Sequence, residues 1–205
     1  MANFYISDIH EGHKNIIQYD KRPFFTISEM NKTLIDNWNK KVSENDTVYI
    51  LGDLSWSKNG VEFYQSLKGN KVLIKGNHDT SKFCRDLKEN NVVKTATDYM
   101  EISDCQEKII LSHYFIPFWN GQFKNTIHLY GHVHNSSQWI LTEQILKDLR
   151  QKQNIPLRAY NVGCMMPWMN YEPKILSEII DGYNKWQRNF NYNCSANNNK
   201  HETIS

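Results

Sequence analysis

Five apolar runs in this chain end the same way, and that shared ending restricts the fold more than any other feature of the sequence. Phe4-Tyr5-Ile6 is followed by Ser7-Asp8-Ile9-His10, and Thr47-Val48-Tyr49-Ile50-Leu51 by Gly52-Asp53. Lys71 to Lys75, with Val72-Leu73-Ile74 at its centre, is followed by Gly76-Asn77-His78-Asp79. Lys108-Ile109-Ile110-Leu111 runs into Ser112-His113, and Ile127-His128-Leu129-Tyr130 into Gly131-His132-Val133-His134. One glycine or asparagine after a strand is an ordinary turn, since both tolerate turn geometry. Strand after strand stopping in carboxylate, amide or imidazole is not accounted for by turns. In layered α/β proteins ligands gather at the carboxyl ends of the strands. These groups are therefore expected to converge on one small volume.

Helical periodicity fills the gaps between these strands. Ser28 to Val42 reads as an amphipathic helix, with Ser28 as N-cap and Met30, Leu34, Ile35 and Trp38 at helical spacing. Val61 to Leu67 and Ser81 to Asn90 read as shorter helices. Tyr99 to Ile102 and Lys108 to Leu111 read as a strand pair, with Asp104 in the turn. Trp139 to Gln151 is expected to be a helix with Ile140, Leu141, Ile145, Leu146 and Leu149 on one side. Ala159 to Val162 is a late strand and Lys174 to Trp186 a late helix. The alternation predicts an α/β layered domain, with parallel pairing among the early strands. The expected organisation is one domain over residues 1–186 and a polar, Asn-rich tail over 187–205 with no catalytic part. No internal repeat is present.

Composition removes several classes of function. A length of 205 residues suits one domain with a sizeable core. No apolar run approaches the length of a membrane span, and the N-terminus lacks the pattern of a signal peptide. The four cysteines, Cys84, Cys105, Cys164 and Cys194, form no C-x-x-C pair, which argues for reduced structural thiols in a cytoplasmic protein. A formal net charge of +2 makes no demand for nucleic acid.

The strand ends hold aspartate, asparagine and histidine and no thiolate. That donor set suits manganese, iron, zinc and similar ions. Asp8-Ile9-His10 and His132-Val133-His134 alternate, so on an extended chain each pair is expected to share a face. The candidates are too many for one ion. Two ions bridged by a carboxylate would use them all, and ions about 3.5–4 Å apart clamp phosphate esters and activate a water.

Asp8-x-His10, Gly52-Asp53, Gly76-Asn77-His78-Asp79, His113 and Gly131-His132-x-His134 stand in the order of the calcineurin-like metallophosphoesterases, and over Asp8 to His134 the chain resembles that superfamily. Each block alone is weak, whereas five in order after strands are specific. The resemblance implies a four-layer α/β/β/α sandwich. It implies a first metal on Asp8, His10 and His134, a second on Asn77, His113 and His132, and Asp53 bridging both. His78 would be a catalytic histidine near the leaving-group oxygen, and Asp79 its orienting partner or a group behind the ligands. The nucleophile would be a bridging hydroxide. Cofactors would be two divalent transition-metal ions, manganese favoured, with iron, zinc or nickel as alternatives.

Gly12 to Phe25 and Asn161-Val162-Gly163 resemble a compact bacterial and phage branch of the superfamily. There His13, Lys14 and Arg22 are candidates for binding substrate phosphate, Arg22 being well shaped for it. The bland alternative is solvated lysines and an Arg22-Pro23 that shapes a loop. Tyr114, Phe115, Phe118 and Trp119 are either core or an aromatic wall for a flat group. His128 and His201 need no function, and Met165 to Met169 read as packing. The expected partner is a phosphate-ester substrate, a small nucleotide favoured over a nucleic-acid end, with no membrane and no evident protein partner. A non-catalytic scaffold is the competing class, opposed by the presence of every ligand and His78.

Overall fold

The computed structural model describes residues 1–154 and 156–198. Two four-stranded sheets form its centre. The first contains β1 (Asn3–Ile6), β2 (Thr47–Ile50), β3 (Asn70–Ile74) and β4 (Val93–Thr97), in that spatial order and all parallel. The second contains β5 (Tyr99–Asp104), β6 (Glu107–Ser112), β7 (Ile127–Tyr130) and β8 (Arg158–Asn161), with β5 antiparallel to β6 and the rest parallel. Helices α1 (Ile16–Tyr19), α2 (Ile27–Lys41), α3 (Gly60–Gln65), α4 (Ser81–Glu89), α5 (Ser137–Gln153) and α6 (Leu176–Asn198) flank them.

The period of two along a strand divides the core. Ile109, Leu111, Ile127 and Leu129 share one buried cluster with Tyr5, Val72 and Ile74, and Asp104 of β5 meets Asn3 and Tyr5 of β1, so the two sheets face each other. Their neighbours Ile110, Tyr130 and Ala159 turn the other way and pack with Leu146 of α5. The α2 residues Met30, Leu34 and Trp38 cover the first sheet. The result is the expected four-layer arrangement, with every parallel strand delivering its carboxyl end to the same side.

Several local expectations shift. The N-cap of α2 is Thr26, whose hydroxyl accepts from the Glu29 amide, and not Ser28. Strand β4 and helix α1 were not expected, although Val93, Thr95 and Thr97 carry the alternation of a strand. Asp104 is the last residue of β5, and the turn is Cys105-Gln106, both at positive φ as a tight two-residue hairpin requires. Asp104 instead accepts from Asn3 and from the Tyr5 hydroxyl, tying the hairpin to β1. On α5, Leu146 is buried but Ile140 and Leu141 are exposed. The late helix α6 continues past Trp186 to Asn198, so the expected boundary falls inside it. His201, with the rest of 199–205, and the side chain of Cys194 lie outside the described residues; Cys84, Cys105 and Cys164 are free thiols. Among the described residues no helix is long and apolar enough to cross a membrane.

Candidate metal centre

Past the last hydrogen-bonded pairs of the sheets, the strand-end loops remain laced together. Asp8 N donates to Gly52 O (3.0 Å), His10 N to Asp53 O (3.0 Å), and Gly131 N to His113 O (2.9 Å). The end of β1 also bridges the far sheet, Ser7 N donating to Val162 O and Cys164 N to Ser7 O. With the Asp79 carboxylate accepting from the amides of Asp53 and Gly76, these bonds bring the five blocks together.

The side chains arrive there by a route other than simple alternation. Asp8, His10, Asp53, His132 and His134 all have φ between 48° and 71°. Their backbone is left-handed and not extended, a conformation that aspartate and histidine adopt more readily than most residues and that concentrates at functional sites. Glycines make the crowding possible. A Cβ on Gly76 would lie 2.2 Å from Asp53 Oδ1, and one on Gly131 2.4 Å from Ser7 Oγ and 2.6 Å from Asp8 Oδ2.

Two clusters result, and they share one residue. Ligand atoms of Asp8, His10, Asp53 and His134 lie within 4.8 Å of one another, as do those of Asp53, His113 and His132. Asp53 Oδ2 is 3.6 Å from both His10 Nε2 and His113 Nε2. Asn77 Oδ1 stands 3.0 Å from His113 Nε2. Proton bookkeeping tests whether cations fit. His113 Nδ1 faces the Leu51 carbonyl at 2.7 Å, and a carbonyl can only accept, so the proton is on Nδ1. The lone pair on Nε2 then points at two oxygens. His134 Nδ1 likewise donates to Asp20 Oδ1 (2.8 Å), and its Nε2 lies 3.2 Å from His10 Nε2 and 3.6 Å from Asp8 Oδ1. A lone pair facing oxygens in the second cluster, and two imidazole nitrogens converging on a carboxylate in the first, fit a pair of metal ions.

Burial sets the electrostatics. Desolvation, with His134 and Arg22 nearby, keeps His10 neutral far below its ordinary range. His132 is lowered by burial and by His113. Burial also opposes charge on His134, but its bond to Asp20 and the nearby Asp8 carboxylate outweigh it and raise its pKa. Asp53 is raised by burial, His113 opposing and Asp8 reinforcing.

The remaining candidates fall in different places. His78 is partly exposed at the rim, its amide donating to Asp53 Oδ1 (3.0 Å) and its Nε2 4.0 Å from Asp53 Oδ2. Asp79 does not orient His78. Its carboxylate accepts from the amides of Asp53, Leu54 and Gly76, clamping the β2 and β3 loops behind the ligands. His13 stacks on Trp56, centroids 4.3 Å apart, at the edge of the site. Lys14 is exposed and outside the cavity beside the metals. Arg22 is not at the surface at all: its side chain is 0% exposed. It donates to Asp20 Oδ2 (2.9 Å), Ile9 O (2.8 Å) and Asp8 O (2.9 Å), so the expected contact with substrate phosphate gives way to a brace under the first metal loop. Among the aromatic residues after His113, Trp119 is core, Phe115 packs against it, Phe118 is exposed, and Tyr114 meets His132 at 4.5 Å.

Three residues of the site were not singled out from sequence. Asp20 links Arg22 to His134; burial opposes its ionisation, but His134 and Arg22 lower its pKa. Glu11 accepts from Ser55, Ser57 and Asn31 and holds the loop that carries Trp56. Trp56 touches His78 at 4.1 Å and is 44% exposed. A large aromatic residue within the polar run Ser55-Trp56-Ser57-Lys58-Asn59 was the available signal.

Two metal-ready clusters sharing an aspartate at the strand ends of a four-layer sandwich define a metallophosphoesterase centre, and the chain belongs to the calcineurin-like phosphoesterase family, whose profile matches residues 4–164. It is 52% identical over 80 residues to an uncharacterized protein of Methanocaldococcus jannaschii, a stretch covering 37% of this chain and 46% of that protein. It is 34% identical over 85 residues to the Gene 66 protein of Mycobacterium phage L5, covering 38% and 41% respectively. The matches thus span less than half the length of these curated relatives. A solved protein of unknown function from Aquifex aeolicus shares the architecture with a TM-score of 0.65 and 27% identity, over 87% of this chain and 97% of that one.

Proposed function

We propose that this chain hydrolyses phosphate esters with two divalent transition-metal ions, manganese favoured, and a small nucleotide-type substrate. The observation that carries the reading is Asp53, whose one carboxylate oxygen lies equally close to a histidine of each cluster. Asp8, His10 and His134 would hold one ion, Asn77, His113 and His132 the other, and Asp53 both. When bound, such ions supply Lewis-acid charge and acidify water. The chain's own residues supply the rest. Ser7 and the His132 amide hold the Asp8 carboxylate, and Asp20 and Leu51 O fix the protons of His134 and His113 on Nδ1. His78 stands free of both clusters and faces the open cavity, where its imidazole can give a proton to the departing oxygen.

The test is metal reconstitution followed by a screen of chromogenic mono- and diesters, cyclic nucleotides and phosphorylated DNA or RNA ends. About two ions per chain and turnover of at least one ester class are expected. Asp53→Asn should weaken both ions together. Full occupancy of both sites in Asp53→Ala, by elemental analysis, would remove the bridging role.

A further inference from the structure

We propose that the cavity beside the first cluster seats a flat, uncharged aromatic group of the substrate, of the nucleobase class. This rests on the phosphoesterase reading and names the part of the ester that the metal centre does not. The cavity has a volume of about 430 Å³ and lies between α1 and the loop that follows β7. That is the lower part of the range for small-ligand pockets, right for one ring system with its sugar. It opens directly onto His10, His78 and His134, so a group lodged there is covalently within reach of a phosphate at the metals.

The lining has the wrong chemistry for a second anion. It contains no lysine or arginine, and it includes the carboxylate of Asp20, already paired with Arg22 and His134. A further phosphate or a carboxylate would meet a negative group and no cation. What the cavity offers instead is ring surface and apolar contact, from Tyr19, Trp56, His13, Ile16 and Val133. Tyr19 is 69% exposed, and its ring meets His13 in a T-shaped contact at 6.1 Å. Exposed aromatic faces beside a metal centre stack bases without sequence preference, each worth about 1–3 kcal/mol.

The test compares adenosine 5′-monophosphate with ethyl phosphate on metal-loaded protein. Both leave as alkoxides, so the demand on His78 is matched and cancels. Wild-type protein should prefer the nucleotide in kcat/KM. Tyr19→Ala should shrink that preference by about fivefold or more, mostly through KM, and Tyr19→Phe should restore it. Calorimetric titration with adenosine supplies a readout without turnover: binding to wild type, and binding at least about fivefold weaker to Tyr19→Ala. Hydrolysis of both esters with a preference indifferent to Tyr19→Ala would overturn the cavity assignment and leave the phosphoesterase reading standing. Adenosine binding that depends on Tyr19, with no ester class of the wider screen turned over, would support the cavity and overturn the phosphoesterase reading. Neither turnover of any ester class nor adenosine binding would overturn both. Tyr19 lies on the surface, so the variant should fold; an unchanged circular dichroism melt checks it.

Discussion

Replacing Arg22 with alanine should damage the fold and one metal site while leaving substrate contacts alone. The guanidinium spans a carboxylate and two backbone carbonyls, those of Asp8 and Ile9, in a place with no water to take over. Removing it strands the Asp20 carboxylate, itself 5% exposed, as a buried charge with only His134 beside it. Breaking one side of a buried ion pair typically costs about 3–5 kcal/mol. That is a large part of the roughly 5–15 kcal/mol that holds a domain folded. The same loss frees the backbone of Asp8 and loosens Asp20, the partner of the His134 imidazole, and Asp8 and His134 both belong to the first cluster. Loss of groups that orient metal ligands typically costs about 10–100-fold in affinity. The second cluster, on Asp53, His113 and His132, has no bond to Arg22. Urea denaturation of metal-free protein measures the first effect, and calorimetric metal titration the second. The expected result is a lower midpoint and one weakened site out of two. Arg22→Lys should recover little, because an ammonium cannot fork across three acceptors. An Arg22→Ala protein with wild-type stability and both ions at full affinity, but a raised KM, would refute this and return Arg22 to a phosphate ligand.

Three other outcomes follow from the geometry. His78→Ala should keep both ions and lose about 10²–10⁴-fold on an alkyl or nucleoside ester but much less on a nitrophenyl ester, whose leaving group needs no proton; equal losses, seen in paired kinetics, would exclude the acid role. Gly76→Ala puts a methyl 2.2 Å from Asp53 Oδ1, so elemental analysis should find both ions depleted and melts a loss of about 1–3 kcal/mol; retention of both ions at wild-type affinity would contradict the crowding. His128 is buried with Nδ1 facing Ile110 O and Nε2 accepting from Ile116 N, and burial lowers its pKa to about 4. A depressed histidine binds its proton more readily in the unfolded chain, so its contribution is complete above about pH 6.5 and disappears as the pH falls toward 4. At about 1.36 kcal/mol per pH unit this is about 3 kcal/mol, and urea midpoints of His128→Gln should therefore fall less between pH 7.5 and 5 than those of the wild type.

What the sequence by itself determined is what short stretches of chain encode. Strand runs, the glycines that follow them and the donor type at each strand end are local properties, and parallel strands must deliver their ends to one side, so the donor types and their convergence were legible before any coordinates. β4 was missed because only Val93 of its five residues is buried, so an edge strand of this kind carries little apolar signal. Tertiary structure alone decided the surroundings of those donors. Nothing near Asp20 in sequence indicates that it meets His134, 114 residues away, or that Trp56 lies against His13 and His78. Arg22 shows the physical reason most directly. A guanidinium in a loop reads as a surface cation because burying a charge is costly, and only a fold that gathers a distant pair of carbonyls and a carboxylate around it makes the interior its place.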